Sequence, residues 1–254
     1  MEALKKTNLK IIFFSLFACF LFFPSATNAQ AAILAALFGD KVASEKFNLS
    51  MEIGVPLTNY SNIDGNKPNL GVNFGIAGNL KINDRWSVSP TAYFLSKRSF
   101  DINSFSLNSG DAYLDNIYNN VPTTISMDYI EVPVFVFYNI PNSKLRLGLA
   151  PQMSFKQNVD ATFSADVGEF RQAVGINVND IDYSLIANVS YYLRYKRNGK
   201  GLYVSLRYSQ GFTDTFKDSF IAGNNQGHYF SFHISLPFIT DELAQKNLEG
   251  QPTF

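Results

Sequence analysis

Cysteine is almost missing from this chain. Its single copy, Cys19, lies inside an apolar stretch near the amino terminus. Everything after it therefore lacks disulfides, thiolate metal sites and thiol nucleophiles. Charge is scarce as well: Asp, Glu, Lys and Arg make up 17 % of residues, against roughly 25 % in ordinary soluble domains. Lys+Arg and Asp+Glu are equal at 21 each, so no net field favours a nucleic acid or an acidic substrate. Histidine occurs only as His228 and His233. Gly-rich phosphate loops and EF-hand spacings are missing too. The carboxylates Asp64, Asp111, Asp115, Asp214 and Asp218 are scattered and read as solvated, with a weak calcium site or adhesion surface as the lesser alternative. No cofactor is expected. Past the first thirty residues, no run is long and apolar enough to span a bilayer as a helix, which takes about 20 residues.

What is present begins with a targeting pattern. Lys5, Lys6 and Lys10 precede an apolar run from Ile11 to Phe23, and a small residue, Ala29, follows shortly after. Residues 1–29 read as a signal peptide, so the remaining chain is exported. LFAC, around Cys19, loosely resembles a lipoprotein cleavage box, but Phe17 fits poorly and the apolar run continues past the cysteine. Residues 30–45 form a leader segment, apolar and then charged, read either as an interfacial helix or as a strap under a barrel rim.

From Lys46 onward, side chains alternate with the two-residue period of a strand. HYFSFHISLPF (His228 to Phe238) puts Phe230, Phe232, Ile234, Leu236 and Phe238 on one face, and Tyr229, Ser231, His233 and Ser235 on the other. Similar stretches run over Lys46–Leu57, Leu70–Ile82, Trp86–Ser96, Met127–Asn139, Lys144–Phe155, Ile181–Tyr195 and Gly201–Phe212. The connections alternate between short (NDR, IPNS, KRNGK) and long (TNYSNIDGNKPN, Ser99–Thr124, Lys156–Asn179, Thr213–Gly227). The pattern predicts an all-β fold: an eight-stranded antiparallel up-and-down transmembrane barrel over residues 46–239, with a polar tail at 240–254. Short turns and both termini are expected on the periplasmic side of a bacterial outer membrane, and long loops outside.

The direction of the apolar face decides between lipid and a soluble core. The opposite face carries Ser, Asn, Gln, Gly, Ala and Tyr rather than the Lys and Glu of a wetted surface. Small neutral groups suit a narrow eight-stranded lumen, and Phe, Leu, Ile and Val suit hydrocarbon. Tyr138, Tyr195 and Tyr208 are candidates for interfacial belts. Strand parity places Glu52, Lys81, Glu131, Arg146, Arg194 and Arg207 inside as a polar network that fills the lumen, with Arg146 and Arg207 as the expected partners of Glu52 and Glu131. His233 points inward beside Ser231 and Ser235. Residues two apart on a strand lie about 7 Å apart, a spacing read as too wide for a nucleophile–base hydrogen bond. His228 falls on the outward face at the loop end.

Several stretches together resemble one family. LFGDKVASEKFNLSMEIG, LGVNFGIAGNLKINDRWSVSPTAYFLSKR, DYIEVPVFVFYNI and GLYVSLRYSQGFTD are similar to segments of the PorT-like outer-membrane β-barrel proteins of the Bacteroidota, over about Leu37 to Phe238. The motif residues are structural: Glu131–Val132–Pro133, and Arg207–Tyr208 with Gly211. The resemblance implies an integral outer-membrane barrel without enzymatic activity, with a structural or accessory role in the envelope or in type IX protein secretion. Its partners are then outer-membrane lipid and other envelope or secretion proteins. Such barrels often end on an aromatic strand residue; here Phe238 ends the strand and ITDELAQKNLEGQPTF follows. Two alternatives of different class stand beside this reading. One is a lipid-modifying barrel enzyme using His233, and the other a soluble secreted barrel binding an apolar ligand.

Overall fold

Alternating side chains need a partner strand on each side, and in this molecule every long strand has two. The computed structural model describes residues 46–194 and 201–237, Arg194 by its backbone alone. The expected signal peptide, leader, KRNGK turn, Tyr195, Phe238 and tail lie outside those residues. The elements are β1 (Phe47–Tyr60), β2 (Asn66–Lys81), β3 (Trp86–Phe105), α1 (Ala112–Ile117), β4 (Val121–Asn139), β5 (Leu145–Ala165), β6 (Gly168–Ala173), β7 (Ile181–Arg194), β8 (Gly201–Asp214) and β9 (Gln226–Pro237). Neighbours pair antiparallel in chain order, and β1 pairs with β9, so eight strands close into a ring. The ninth, β6, pairs with β5 alone, as a hairpin on its far end.

One end of the ring has tight turns. Asn83 Oδ1 accepts the backbone N–H groups of Arg85 and Trp86, each at 2.9 Å, closing the β2–β3 turn. Asn142 takes φ 53° in the β4–β5 turn, a left-handed position that asparagine tolerates. The other end carries the longer connections, including α1 and the β6 hairpin. Asp111 caps α1 by accepting the N–H groups of Tyr113 and Leu114. Asp115 accepts the backbone N–H and hydroxyl of Ser109, and these bonds hold its carboxyl below the usual range.

Strands β3, β4 and β5 are 20, 19 and 21 residues long, and a tilted strand crosses hydrocarbon in about 9–11. The stretches expected as loops at Ser99–Thr124 and Lys156–Asn179 are therefore partly strand. The reason lies in β4. Its outward residues run Tyr138, Val136, Val134, Val132 and Ile130, then change to Asp128, Ser126 and Thr124. Its inward residues run Phe137, Phe135, Pro133 and Glu131, then Tyr129, Met127, Ile125 and Thr123. Toward the long-loop end, the wall becomes polar outside and apolar inside. Tyr60, Phe100, Ile102, Ile125, Met127, Phe163 and Phe216 pack there into a core of the soluble kind. Lower down, the pattern is reversed and matches the expected lipid-facing belt: Val55, Leu147, Val189, Leu206, Phe230 and Phe232 are exposed, and the serines opposite are buried. Trp86 and Tyr138 pair at the short-turn edge of the belt with ring centres 5.0 Å apart. Tyr208, by contrast, is no edge residue. It lies mid-strand opposite Ala187 and Phe230, its hydroxyl donating to Gln210 Oε1 at 2.7 Å.

The belt is tested by charge placement. Leu206→Arg, at a position 67 % exposed on the apolar band, should destabilise the barrel in lipid vesicles by about 2–4 kcal/mol in a denaturant titration. Asn158→Arg, on an exposed position of the extension, should change stability by less than about 0.5 kcal/mol.

Candidate functional site

The polar lumen below the apolar cap holds three guanidinium groups at successive levels. The uppermost, Arg98, is at the centre of an ion cluster. Its Nε and Nη2 donate to Glu131 Oε1 at 2.9 and 2.5 Å, Nη1 donates to Asp182 Oδ2 at 2.7 Å, and Nη2 also reaches Ser154 Oγ at 2.8 Å. The rings of Tyr129 and Tyr229 flank the cation at 4.6 and 5.2 Å. Asn73 donates to the other Glu131 oxygen at 3.4 Å.

Below it, Arg207 donates from Nε to Asn188 at 2.9 Å, from Nη2 to Glu52 Oε2 at 3.1 Å, and from Nη1 to the Tyr93 hydroxyl. Ser50 donates to the second Glu52 oxygen at 3.0 Å. Lowest lies Arg146, between the rings of Phe137 and Tyr203 at 3.9 and 3.7 Å. Among the described residues, the buried cations Arg98, Arg146 and Arg207 are equal in number to the buried anions Glu52, Glu131 and Asp182, of which Arg98 takes two and Arg207 one. Burying a charge without such compensation costs several kcal/mol.

Of the six residues expected inside, Glu52, Glu131, Arg146 and Arg207 are buried in the lumen. Lys81 is not: as the last residue of β2, it extends out of the mouth to Asp84 in the turn at 2.7 Å, with its side chain 50 % exposed. The side chain of Arg194 lies outside the described residues. Arg207 does meet Glu52, but Glu131 is held by Arg98 rather than by Arg146, which has no carboxylate partner among the described residues.

Two members of the network are missing from the sequence-based set. Arg98 lies beyond the point where β3 was expected to end, and a bulge between Tyr93 and Ser96 shifts the inward set from odd to even positions. Asp182 has the inward parity of β7 and was passed over at the strand's first turn of alternation.

His233 also departs from expectation. Its Nε2 is 3.1 Å from Ser231 Oγ, within hydrogen-bond reach, because the ring leans along the strand instead of standing upright. Its Nδ1 lies 3.4 Å from the Tyr93 hydroxyl. The ring occupies the space beside Gly54, where a Cβ would come within 2.2 Å of it. Ser231 and His233 are 4 % and 1 % exposed, so the pair is enclosed within the barrel wall. Besides Asp111 and Asp115 at α1, two more of the loop carboxylates are engaged locally: Asp214 accepts the Asn225 N–H at 2.9 Å and Asp218 the Gly223 N–H at 3.1 Å. Among the described residues, no group of three His, Asp or Glu side chains is placed to hold a metal ion.

A closed ring with a lipid-facing band and an ionic, hydrogen-bonded filling defines a transmembrane β-barrel. The chain belongs to the outer membrane protein β-barrel domain family, which it matches over residues 28–217. That places it in the bacterial outer membrane. Among solved structures it is similar to Ail, the attachment invasion locus protein of Yersinia pestis (10 % identity, 77 % of this chain and 100 % of that one, TM-score 0.41). It is also similar to Neisserial surface protein A (14 %, 75 % and 96 %, TM-score 0.38) and to the N-terminal β-barrel domain of Pseudomonas aeruginosa OprF (8 %, 74 % and 97 %, TM-score 0.32). No curated protein matches the chain significantly.

The network gives a direct test. Arg98→Met removes the shared partner of two buried carboxylates and should cost about 3–5 kcal/mol of unfolding free energy. Lys81→Met, at the exposed mouth, should shift it by less than about 0.5 kcal/mol in the same assay.

Proposed function

We propose that the chain is a non-enzymatic barrel whose lumen is a structural plug and whose working surfaces are its two ends. In this reading, the short turns and both chain ends face the periplasm, and the long connections with α1 and β6 face the exterior. Its role is structural or accessory, in the envelope or in protein secretion of the PorT-like kind, with lipid and other envelope or secretion proteins as partners. The observation that carries it is the filling. Among the described residues, apolar side chains occupy the upper lumen and the Arg98, Arg207 and Arg146 levels lie below them, a filling that weighs against the open polar bore of a porin.

Support for the PorT-like assignment rests on the quoted motifs. Their charged residues are the anchors of the plug: Glu131 in the Arg98 cluster and Arg207 on Glu52. Gly211 is required by close packing, since a Cβ there would lie 2.4 Å from the Gly227 carbonyl oxygen. The motifs thus carry the fold rather than chemistry. The one observation that favours an enzyme is the Ser231–His233 contact, and the enclosure of both side chains weighs against it. The apolar outer belt weighs against a soluble ligand carrier.

Two experiments test this reading. Val167→Cys, at the exposed tip of the β5–β6 hairpin, should react with a membrane-impermeant maleimide on intact cells. Asp84→Cys, in the short turn, should react only after the envelope is opened; the reverse pattern inverts the orientation. For the role, a strain lacking the chain should show reduced exported cargo at the cell surface. Unchanged cargo leaves the structural role alone standing.

A further inference from the structure

Arg146 is the odd member of the lumen. Arg98 and Arg207 each bind carboxylates and neutral acceptors, whereas Arg146 makes no hydrogen bond and no ion pair to any described residue. It is only 7 % exposed, and its Nε is buried without a partner. An unpartnered buried guanidinium donor forfeits the hydrogen bond it would make to water, and the two aromatic rings answer only the faces of the cation, not its N–H groups. Those groups need an acceptor.

The guanidinium lines a cavity of about 210 Å³ at the short-turn mouth of the barrel. Lys46 and Lys81 line the same space, with Asn79, whose amide is already bonded to Asn48 and Ser50, Asn139 and Ser235. Among the described residues, no carboxylate lines it; Asp84, outside the lining, pairs with Lys81, and Glu52 is held by Arg207. Of the three cations around this small open space, Arg146 and Lys46 make no ion pair with a described residue and Lys81 has only the exposed Asp84, an arrangement that forms a receptor for an anion. The planar fork of arginine matches two oxygens of a carboxylate or phosphate. The cavity suits one such group and is too small for a polymer.

We propose that the short-turn mouth is a binding site for a single oxyanion group, a phosphate or carboxylate, with Arg146 as its deep contact and Lys46 and Lys81 at the rim. Its placement in the periplasm rests on the orientation proposed above; the site itself does not.

The test uses the full chain folded in detergent micelles, titrated separately with inorganic phosphate and with acetate by calorimetry and by thermal shift. Saturable binding of at least one anion is expected, and which one binds identifies the source chemistry. Arg146→Gln should weaken that binding at least tenfold. Lys46→Gln with Lys81→Gln, both at exposed positions, should weaken it severalfold without altering the fold. Absence of saturable binding to the parent protein overturns the proposal, as does affinity unchanged in the variants. If Arg146→Gln fails to fold, judged by loss of the heat-dependent gel shift of a folded barrel, the double lysine variant decides alone. The micelle titration is blind to topology. A reversed maleimide pattern at Asp84→Cys therefore removes the periplasmic placement and leaves the anion site intact.

Discussion

Hydrocarbon offers no hydrogen bonds, and every peptide group that crosses it must find its partner within the protein. This protein answers with closure: β1 is paired with β9, and β4 with both β3 and β5, so no edge faces lipid. Closure at eight strands in turn makes a narrow lumen that side chains must fill. The inward positions are accordingly Ser, Asn, Thr, Gln and Gly, interrupted by a few charges that must then find one another. Arg98 and Arg207 tie six of the eight strands of the ring through their contacts on β1, β3, β4, β5, β7 and β8. Each of these ties fixes a register, since a slip by one residue would turn the charge outward.

The second constraint is the change of solvent along the barrel axis. The same strand that faces acyl chains at Val132 and Val134 faces water at Ser126 and Asp128. Its inner face changes in the opposite sense, from Glu131 to Met127 and Ile125. A membrane barrel and a soluble barrel are thus joined end to end in one wall. The join is at the level of the Arg98 cluster, where charges are shielded from lipid by the wall and from water by the aromatic cap.

Much of this was legible in the sequence because lipid enforces a strict alternation. Phe230, Phe232 and Ile234 against Ser231, His233 and Ser235 is a pattern with one reading once the polar face is seen to lack lysine and glutamate. Lys81 was misplaced because parity describes where a Cβ points, not where a long flexible chain at a strand end finally rests. The extension of β3–β5 was hidden because its polarity inverts, so Ser99, Asp101 and Thr124 read as loop. Arg98 was hidden twice, by that inversion and by the bulge that breaks two-residue counting. The Ser231–His233 contact is invisible to two-residue counting, which gives the spacing between backbones and not between side-chain tips.

A wall that is oily outside at one level and oily inside at the next can float at only one depth. Raising it would wet leucines and valines, and sinking it would drag Asp101 and Asp128 toward the acyl chains. The protein therefore carries its own waterline, and the loop tips near Val167 stand at a set height above the lipid, like a platform on fixed legs. Membranes of other thickness must bend or thin around it, since the barrel itself has no room to slide.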